Sequence, residues 1–344
     1  MGVDLGGIVP KQEISLESLA GKKVAIDGNN ALYQFLAIIR QRDGTPLLDS
    51  KGRVTSHLSG LFYRTARIVE AKVKPVYVFD GEPPRLKRRT LDERREIRGA
   101  AAEKWAAALK VGDLPAARTA AMGSSRLTRE MTAEARKLLD LMGIPWVQAP
   151  QEGEAQAAFM CTNGDVWASA SQDYDSLLLG VPRLIRNLTL SGRRKLPGRE
   201  DYVDVVPEMI ELEKVLAELG VSREQLIWMA ILAGTDFNDG IKGIGPKKGL
   251  KIVKECRTLA EVVAKAGGAD LFEVEPSDVE SLFLRPRTTA EYDLQSKIPD
   301  EDTLMAFLVD EHDFTKERVG SSVKNYVAAM TETAQQSKLG EWFG

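Results

Sequence analysis

Two acidic side chains lie two residues apart in the stretch VWASASQDYDSLLLG, residues 166–180. Asp173 and Asp175 follow an alternating, half-apolar run that is typical of a β-strand, so we expect both at its carboxyl end. Carboxylates held this close repel each other. The pair therefore indicates a cation-binding site.

Further acids stand in the same relation to predicted strands. The runs KKVAID, VKPVYVFD and IPWVQAP end at or just before an acidic residue, and helical patterns separate them. This alternation predicts an α/β fold with a mainly parallel central sheet flanked by helices, in which ligands bind beyond the carboxyl ends of the strands. One cleft would then hold a set of seven carboxylates: Asp27, Asp80, Glu152, Glu154, Asp173, Asp175 and Asp236.

The composition of this set selects hard cations. No histidine or cysteine accompanies it, and oxygen ligands alone favour Mg²⁺ or Mn²⁺ over Zn²⁺. Two such ions about 4 Å apart stabilise both the attacking and the leaving oxygen of a phosphodiester. Any single acid could instead be a helix cap or a turn residue, so the hypothesis depends on the joint pattern.

A basic helical segment follows the second predicted strand. Residues 82–98 carry seven Lys or Arg against four Asp or Glu, although the whole chain has a formal charge of −3. Lys87, Arg94 and Arg98 share one face of a helix, which could overhang the cleft and neutralise charge on a phosphate. The alternative is a solvated helix whose own acids pair with these bases.

The stretch GIKGIGPKKG, residues 240–249, is rich in glycine and lysine. Its spacing does not fit a nucleotide-binding phosphate loop. We interpret it as a tight turn between two helices, with Pro246 at the first helical position and Lys247 and Lys248 adding charge for sequence-independent duplex binding. A plain helix-helix corner is the alternative.

Composition limits the class of protein. The chain has 344 residues, 43% hydrophobic and 28% charged, which is ordinary for a globular protein. It has no apolar run near the ~20 residues that span a bilayer, and its beginning lacks the layout of a signal peptide. Two cysteines with no framework spacing fit a reducing compartment. We therefore expect an intracellular protein.

The motifs together resemble one family, the flap endonucleases of archaeal type, which are structure-specific 5′ nucleases. The matching stretches are VAIDGNNALYQFL, GRVTSHLSGLFYRTARI, KPVYVFDGEPPRLK, LLDLMGIPWVQAPQEGEAQAA, ASASQDYDSLL and LAGTDFNDGIKGIGPKK. The resemblance implies Mg²⁺-dependent hydrolysis of DNA phosphodiesters near single-strand/duplex junctions by two metal ions. It also implies 5′-3′ exonuclease activity and roles in Okazaki-fragment processing and DNA repair.

Residue roles follow from the resemblance by position. One metal ion is expected on Asp27, Asp80, Glu152 and Glu154, and a second on Asp173, Asp175 and Asp236, with Mn²⁺ as a substitute for Mg²⁺. Lys87 and Arg94 resemble the basic pair that touches the scissile phosphate. The expected DNA contacts are Gly2, Tyr33, Arg40, Gly243, Gly245, Lys247 and Lys248, with K⁺ at the glycine hairpin.

The resemblance also sets the expected organisation. Residues 1–328 form the nuclease core, with a helical gateway at 81–131 and a glycine hairpin element at 220–265, and residues 329–344 form a flexible tail. The tail matches a sliding-clamp-binding box at Gln336, Leu339, Trp342 and Phe343. We expect a monomer on branched DNA, cytoplasmic and nucleoid-associated, because no nuclear-targeting tail follows the box.

Three alternatives remain open from the sequence. Another 5′ nuclease of the same superfamily would share most motifs. A haloacid dehalogenase-type phosphatase would use Asp173 as a nucleophile, although its acidic pair normally follows the first strand of the domain. A non-catalytic, clamp-bound DNA adaptor would need no acidic cleft.

Overall fold

The computed structural model describes residues 3–190, 192–195 and 202–343. Within them the strands are β1 (Gln12–Glu13), β2 (Lys23–Asp27), β3 (Lys74–Phe79), β4 (Trp146–Gln148), β5 (Ala168–Ala170), β6 (Arg183–Arg186), β7 (Gly192–Lys195), β8 (Tyr202–Val205) and β9 (Glu208–Glu211). The α-helices are α1 (Gly28–Ile38), α2 (Ser56–Glu70), α3 (Arg88–Lys110), α4 (Leu114–Gly123), α5 (Arg129–Leu141), α6 (Gly153–Thr162), α7 (Asp175–Leu178), α8 (Leu212–Leu219), α9 (Arg223–Ala233), α10 (Pro246–Lys254), α11 (Leu259–Ala266), α12 (Pro276–Leu284), α13 (Glu301–Met305) and α14 (Lys316–Phe343).

The central sheet has the strand order β1-β9-β6-β5-β2-β3-β4. The five strands from β6 to β4 are parallel, whereas β9 and β1 pair antiparallel at one edge. Because β3 and β4 lie on one side of β2, and β5 and β6 on the other, the chain reverses its winding at β2. Such a reversal opens a crevice at the carboxyl ends of the strands, where ligands bind in open α/β sheets. The predicted mainly parallel sheet is confirmed.

Alternating side chains of the strands enter two apolar cores, one on each face of the sheet. On β3, Val76 and Val78 belong to one core, and Tyr77 and Phe79 belong to the other. This is the two-residue period of an extended chain. A sheet covered on both faces leaves its strand ends as the place where polar side chains collect.

The basic segment after β3 forms a helical hairpin. α3 runs for 23 residues, and none of them is buried. α4 begins with Asp113 as its N-cap and Pro115 in its first turn. The backbone around Pro115 is therefore helical.

The sequence pattern after Val221 predicts helices throughout the rest of the core, but residues 285–299 contain no helix. This extended segment crosses the back of α6, where the buried Gln156 accepts from Thr289 N and donates to Thr289 O, both at 2.8 Å. Lys297 N also donates to Gly143 O. These hydrogen bonds satisfy backbone groups that a helix would have satisfied internally.

The edge of the sheet formed by β6, β9 and β1 was not predicted. These strands are two to four residues long, too short for a periodic pattern to stand out. The described helices include none that is long and apolar enough to cross a lipid bilayer.

The contact between α1 and α2 gives a test of this packing. A Cβ atom added at Gly60 would lie 2.3 Å from Phe35 Cγ, whereas one at Gly99 on α3 would meet no atom within 4 Å. We expect Gly60→Ala to lower the free energy of unfolding by about 1–3 kcal/mol through overpacking. Gly99→Ala, the control, should leave it unchanged or raise it by up to about 1 kcal/mol. Urea denaturation measures both, and equal stability of the two variants would contradict the close α1–α2 packing.

Candidate active site

One pocket at the carboxyl ends of the parallel strands brings together the predicted acids. Its lining includes all seven of them, with Lys87, Arg94 and Tyr33. The acids come from five separate parts of the chain: the end of β2, the loop after β3, the start of α6, the segment between β5 and α7, and the loop after α9.

Backbone N–H groups hold three of the carboxylates in place. Asp27 caps α1 and accepts from Asn30 N at 2.9 Å. Asp80 accepts from Gly153 N at 2.7 Å, and Asp175 accepts from Val3 N at 3.0 Å. One oxygen of each carboxylate is thus anchored by a neutral donor, which orients the group without removing its charge.

Neutral side chains orient two more acids. Glu154 accepts from the hydroxyls of Ser171 at 2.5 Å and Ser176 at 3.3 Å. Asp173 accepts from Asn30 Nδ2 at 3.3 Å. These donors lie at strand and helix ends, where the sequence places small polar residues next to each acid.

Burial and mutual repulsion raise the pKa of most acids in the pocket. Burial is the largest cause of the raised pKa of Asp27, with the charge of Asp80 second. The pKa of Glu154 is raised by burial and by the charge of Asp173, and that of Asp175 rises to about 7 through burial and the charges of Asp236 and Asp173. In each case the shift disfavours the charged form, and a bound cation would favour it.

Lys87 and Arg94 are paired with acids of the pocket. Lys87 Nζ contacts Glu152 and lies 3.5 Å from Asp236, and Arg94 Nη2 lies 2.6 Å from Asp236. Burial would raise the pKa of Asp236, but the two cations outweigh it and lower that pKa. Both bases thus neutralise acids of the pocket, and their contact with the scissile phosphate stays a prediction.

The ion pairs of Lys87 and Arg94 occupy two of the carboxylates that could bind a metal ion, Glu152 and Asp236. Among the described residues, no group of three or more Asp, Glu, His or Cys side chains is arranged to hold a metal ion. The donor set nevertheless fits a hard divalent cation, because all its members are carboxylates and burial raises the pKa of most of them. Lys87 and Arg94 supply part of the positive charge that the acids require.

Comparisons with known proteins decide the family. Residues 5–101 match the XPG N-terminal domain, and residues 143–236 match the XPG I-region. The chain is 54% identical to flap endonuclease 1 of Staphylothermus marinus over 350 aligned positions, which cover 100% of both chains. It is also 54% identical to flap endonuclease 1 of Pyrococcus abyssi, over 100% of this chain and 98% of that one. The chain belongs to the flap endonuclease family.

A solved structure agrees with this assignment. Flap endonuclease-1 from Methanococcus jannaschii matches with a TM-score of 0.75 and 44% identity, over 96% of this chain and 99% of that one. The protein is therefore a structure-specific nuclease that hydrolyses DNA phosphodiester bonds, as the sequence predicted. In this flap endonuclease fold, Asp173 and Asp175 follow β5. The acidic pair of a haloacid dehalogenase-type phosphatase normally follows the first strand of the domain, so the position of the pair disfavours that alternative.

Two predicted DNA contacts, Tyr33 on α1 and Arg40 just after it, have different surroundings. Tyr33 is 36% exposed and lines the pocket, with the Arg98 guanidinium 5.9 Å from its ring centre. Arg40 is turned inward: it donates to Leu36 O, to Gly44 O and to the Ser125 hydroxyl at 2.6–2.9 Å. Arg40 thereby connects α1 to the end of the gateway, and its contact with DNA stays a prediction.

The glycine hairpin of this flap endonuclease forms as expected. Gly243 has a φ of +84°, Gly245 is the N-cap of α10, and Pro246 is in its first turn. Lys247 and Lys248 are exposed. Gly249, where alanine would favour the helix, is buried, and a Cβ there would lie 3.1 Å from Met229 Cγ, so glycine permits close packing of α9 and α10.

Gly2 and the side chains of the predicted clamp box lie outside what the structure describes. In the expected flexible tail, the backbone of 329–343 is helical as the end of α14. The side chains of the clamp box, Gln336, Leu339, Trp342 and Phe343, lie outside what the structure describes.

Arg287 and Asn30 are pocket residues that sequence reasoning missed. Arg287 lines the pocket from the extended segment 285–299, and Asn30 lines it from α1. The motif DGNN could have drawn attention to Asn30, because it follows the acid that ends β2. Nothing local marks Arg287, since its position depends on the path of a segment without regular structure.

The pKa shifts predict opposite effects of two substitutions in the presence of a chelator. The folded-state pKa of Asp175 is raised to about 7, so its contribution to stability is lost as the pH rises from about 4 through 7. Asp175→Asn should therefore raise the free energy of unfolding at pH 8 by up to about 4 kcal/mol, and by less at pH 5. Chemical denaturation at both pH values measures this difference.

Asp236→Asn is the matched variant with the opposite sign. Its carboxylate is paired with Lys87 and Arg94, so its loss should destabilise the protein at pH 8 by about 2 kcal/mol. If both variants shift stability in the same direction, the assigned balance between repulsion and pairing is wrong.

Proposed function

We propose that this flap endonuclease cleaves DNA next to the junction of a 5′ flap with duplex DNA, by two-metal-ion hydrolysis with Mg²⁺ or Mn²⁺. One observation carries the proposal: seven carboxylates from distant parts of the chain line a single pocket together with Lys87 and Arg94. The family is divalent-metal dependent.

Charge balance supports two ions. The pocket is lined by seven acids and by three bases, Lys87, Arg94 and Arg287. With every group ionised, four negative charges are left, which is the charge that two divalent cations neutralise. We assign one ion to Asp27, Asp80, Glu152 and Glu154, and the other to Asp173, Asp175 and Asp236. Bound there, the ions would supply Lewis-acid stabilisation of both oxygens of the scissile bond.

Lys87 and Arg94 are expected to contact the scissile phosphate, and their ion pairs with pocket acids support this role. Both are held at the pocket by Glu152 and Asp236. With Glu152 and Asp236 engaged as metal ligands, the ammonium of Lys87 and the guanidinium of Arg94 would be available to donate to the scissile phosphate. Positive donors fixed in a partly buried site stabilise the charge that develops on phosphorus oxygens.

The surrounding elements fit a junction substrate. Lys247 and Lys248 on the hairpin would hold the duplex through its phosphates, with K⁺ bound at the turn. Tyr33, exposed at the pocket, would stack on an unpaired base for about 1–3 kcal/mol. Terminal bases must unpair for a phosphate to reach the acids, and this costs least at a frayed junction.

The same geometry accommodates 5′-3′ exonuclease activity, because a duplex end also frays. A tail box of the form Gln, two residues, Leu, two residues, Trp-Phe would dock on a sliding clamp as a short helical turn. Helical backbone at 329–343 is compatible with that mode. These features support a role of the monomer in Okazaki-fragment processing and repair.

The proposal predicts a defined activity pattern. End-labelled flap, nicked and blunt duplexes are incubated with protein and with Mg²⁺ or a chelator. We expect cleavage only with Mg²⁺, fastest on the flap substrate and close to its junction. Asp173→Asn should lower the single-turnover rate at least 100-fold, because a ligand of one ion is lost, while flap binding in chelator persists. Cleavage at the same rate with Mg²⁺ and with the chelator, or full activity of Asp173→Asn, would overturn the proposal.

Arg287, in the extended segment 285–299, should contact a substrate phosphate. It lines the pocket, and in the described part of the chain its guanidinium has no carboxylate partner. Arg287→Ala should raise the KM for flap DNA roughly fivefold, about 1 kcal/mol, with kcat little changed. It should also reduce the slope of log K against log salt by about 1.

Arg285 provides the control for this prediction. It is an exposed arginine of the same segment that does not line the pocket. Arg285→Ala should leave both KM and the salt slope near the unsubstituted values. Equal effects of the two substitutions would mean that Arg287 contributes only to the general charge of the surface.

A further inference from the structure

A row of uncharged side chains leads from the loop after β6 to one of the site carboxylates. Thr189, 5% exposed, donates its hydroxyl to Gln34 Oε1 at 3.2 Å. Gln34 Nε2 donates to Asn30 Oδ1, and Asn30 Nδ2 donates to Asp173 Oδ2 at 3.3 Å. Each hydrogen bond therefore points toward the pocket.

The direction of the row is fixed at its carboxylate end. An ionised carboxylate only accepts hydrogen bonds, so the Asn30 amide nitrogen faces Asp173. Asn30 Oδ1 then accepts from Gln34 Nε2, which leaves Gln34 Oε1 to accept from the Thr189 hydroxyl. If the Asn30 amide turned over, its oxygen would face the carboxylate and repel it.

Asn30 also joins two acids that come from different strands. Its backbone N–H donates to Asp27 at the end of β2, while its side chain reaches Asp173 after β5. A neutral amide orients a carboxylate and leaves the negative charge to a cation. Lys87 and Arg94 act differently, because each brings a positive charge that competes with a cation for Glu152 and Asp236.

We propose that Thr189, Gln34 and Asn30 form a positioning relay that holds Asp173 in the orientation needed to bind a divalent cation. The relay rests on the proposed function of Asp173 as a metal ligand. Gln34 and Thr189 act only through Asn30, since neither has a hydrogen bond to a site carboxylate among the described contacts. Partners of this kind typically change metal affinity 10–100-fold when they are removed.

The test measures Mn²⁺ binding by calorimetry, without DNA and independently of turnover. Gln34→Met keeps the length of the side chain and removes both hydrogen bonds. We expect it to weaken Mn²⁺ binding about 10-fold. Thr189→Val should act in the same direction with a smaller effect, because Gln34 still meets Asn30. Flap affinity in chelator should stay the same in both variants.

The control is Tyr77→Phe, which removes one buried hydrogen bond in the same core, the 2.8 Å bond between the hydroxyls of Tyr77 and Thr65. It should lower the melting temperature in chelator without weakening Mn²⁺ binding. If Tyr77→Phe weakens Mn²⁺ binding as much as Gln34→Met does, the relay is overturned, because general loosening of the core would explain both.

Asp173→Asn separates the relay from the proposed function. If Asp173→Asn weakens Mn²⁺ binding and Gln34→Met does not, the relay is wrong and the metal assignment stands. If neither variant weakens binding, the assignment of Asp173 as a ligand fails, and the relay fails with it.

Discussion

Repulsion among buried carboxylates is the constraint on which the rest of this structure depends. Two such groups about 4 Å apart repel by roughly 4 kcal/mol at an effective dielectric constant of 20, and seven line one pocket. The chain meets this cost in three ways. Burial and repulsion raise the pKa of Asp27, Glu154 and Asp175, so the uncharged form of these acids is favoured more than in a free carboxyl group. Lys87 and Arg94 pair with others, and neutral donors fix the orientation of the rest.

The fold makes such crowding possible because the destabilising groups are confined to one edge of a well-packed sheet. Two apolar cores cover the faces of the parallel strands, and their burial offsets the repulsion at the strand ends. A site of this kind is less stable than an apolar one would be, which is the usual relation between stability and activity. The reversal of winding at β2 sets where the acids converge, since it places the ends of β3 and β5 on either side of Asp27.

The sequence predicted which acids would meet but not how they would be compensated. Strand-ending acids could be found because a two-residue apolar period and its end are local properties, and the family motifs contain the same residues. The pairing of Lys87 and Arg94 with Glu152 and Asp236 could not be found, because it depends on how the gateway docks. Local patterns failed for the same reason at residues 285–299, where hydrogen bonds from a distant glutamine, Gln156, replace those of a helix.

Asp236 belongs both to the acidic pocket and to the contact that attaches the gateway helix α3 to the core. Arg94 donates to both of its carboxylate oxygens at 2.6 and 2.8 Å, and the Thr90 hydroxyl donates to its backbone oxygen at 2.8 Å. Under the proposed function, Arg94 and a divalent cation would compete for this carboxylate, whereas the hydrogen bond from Thr90 uses the backbone oxygen and would persist. The base of α3 would then stay in place while the Arg94 guanidinium became available to a phosphate. One residue, Asp236, thus contributes both to the acidic pocket and to the attachment of the gateway.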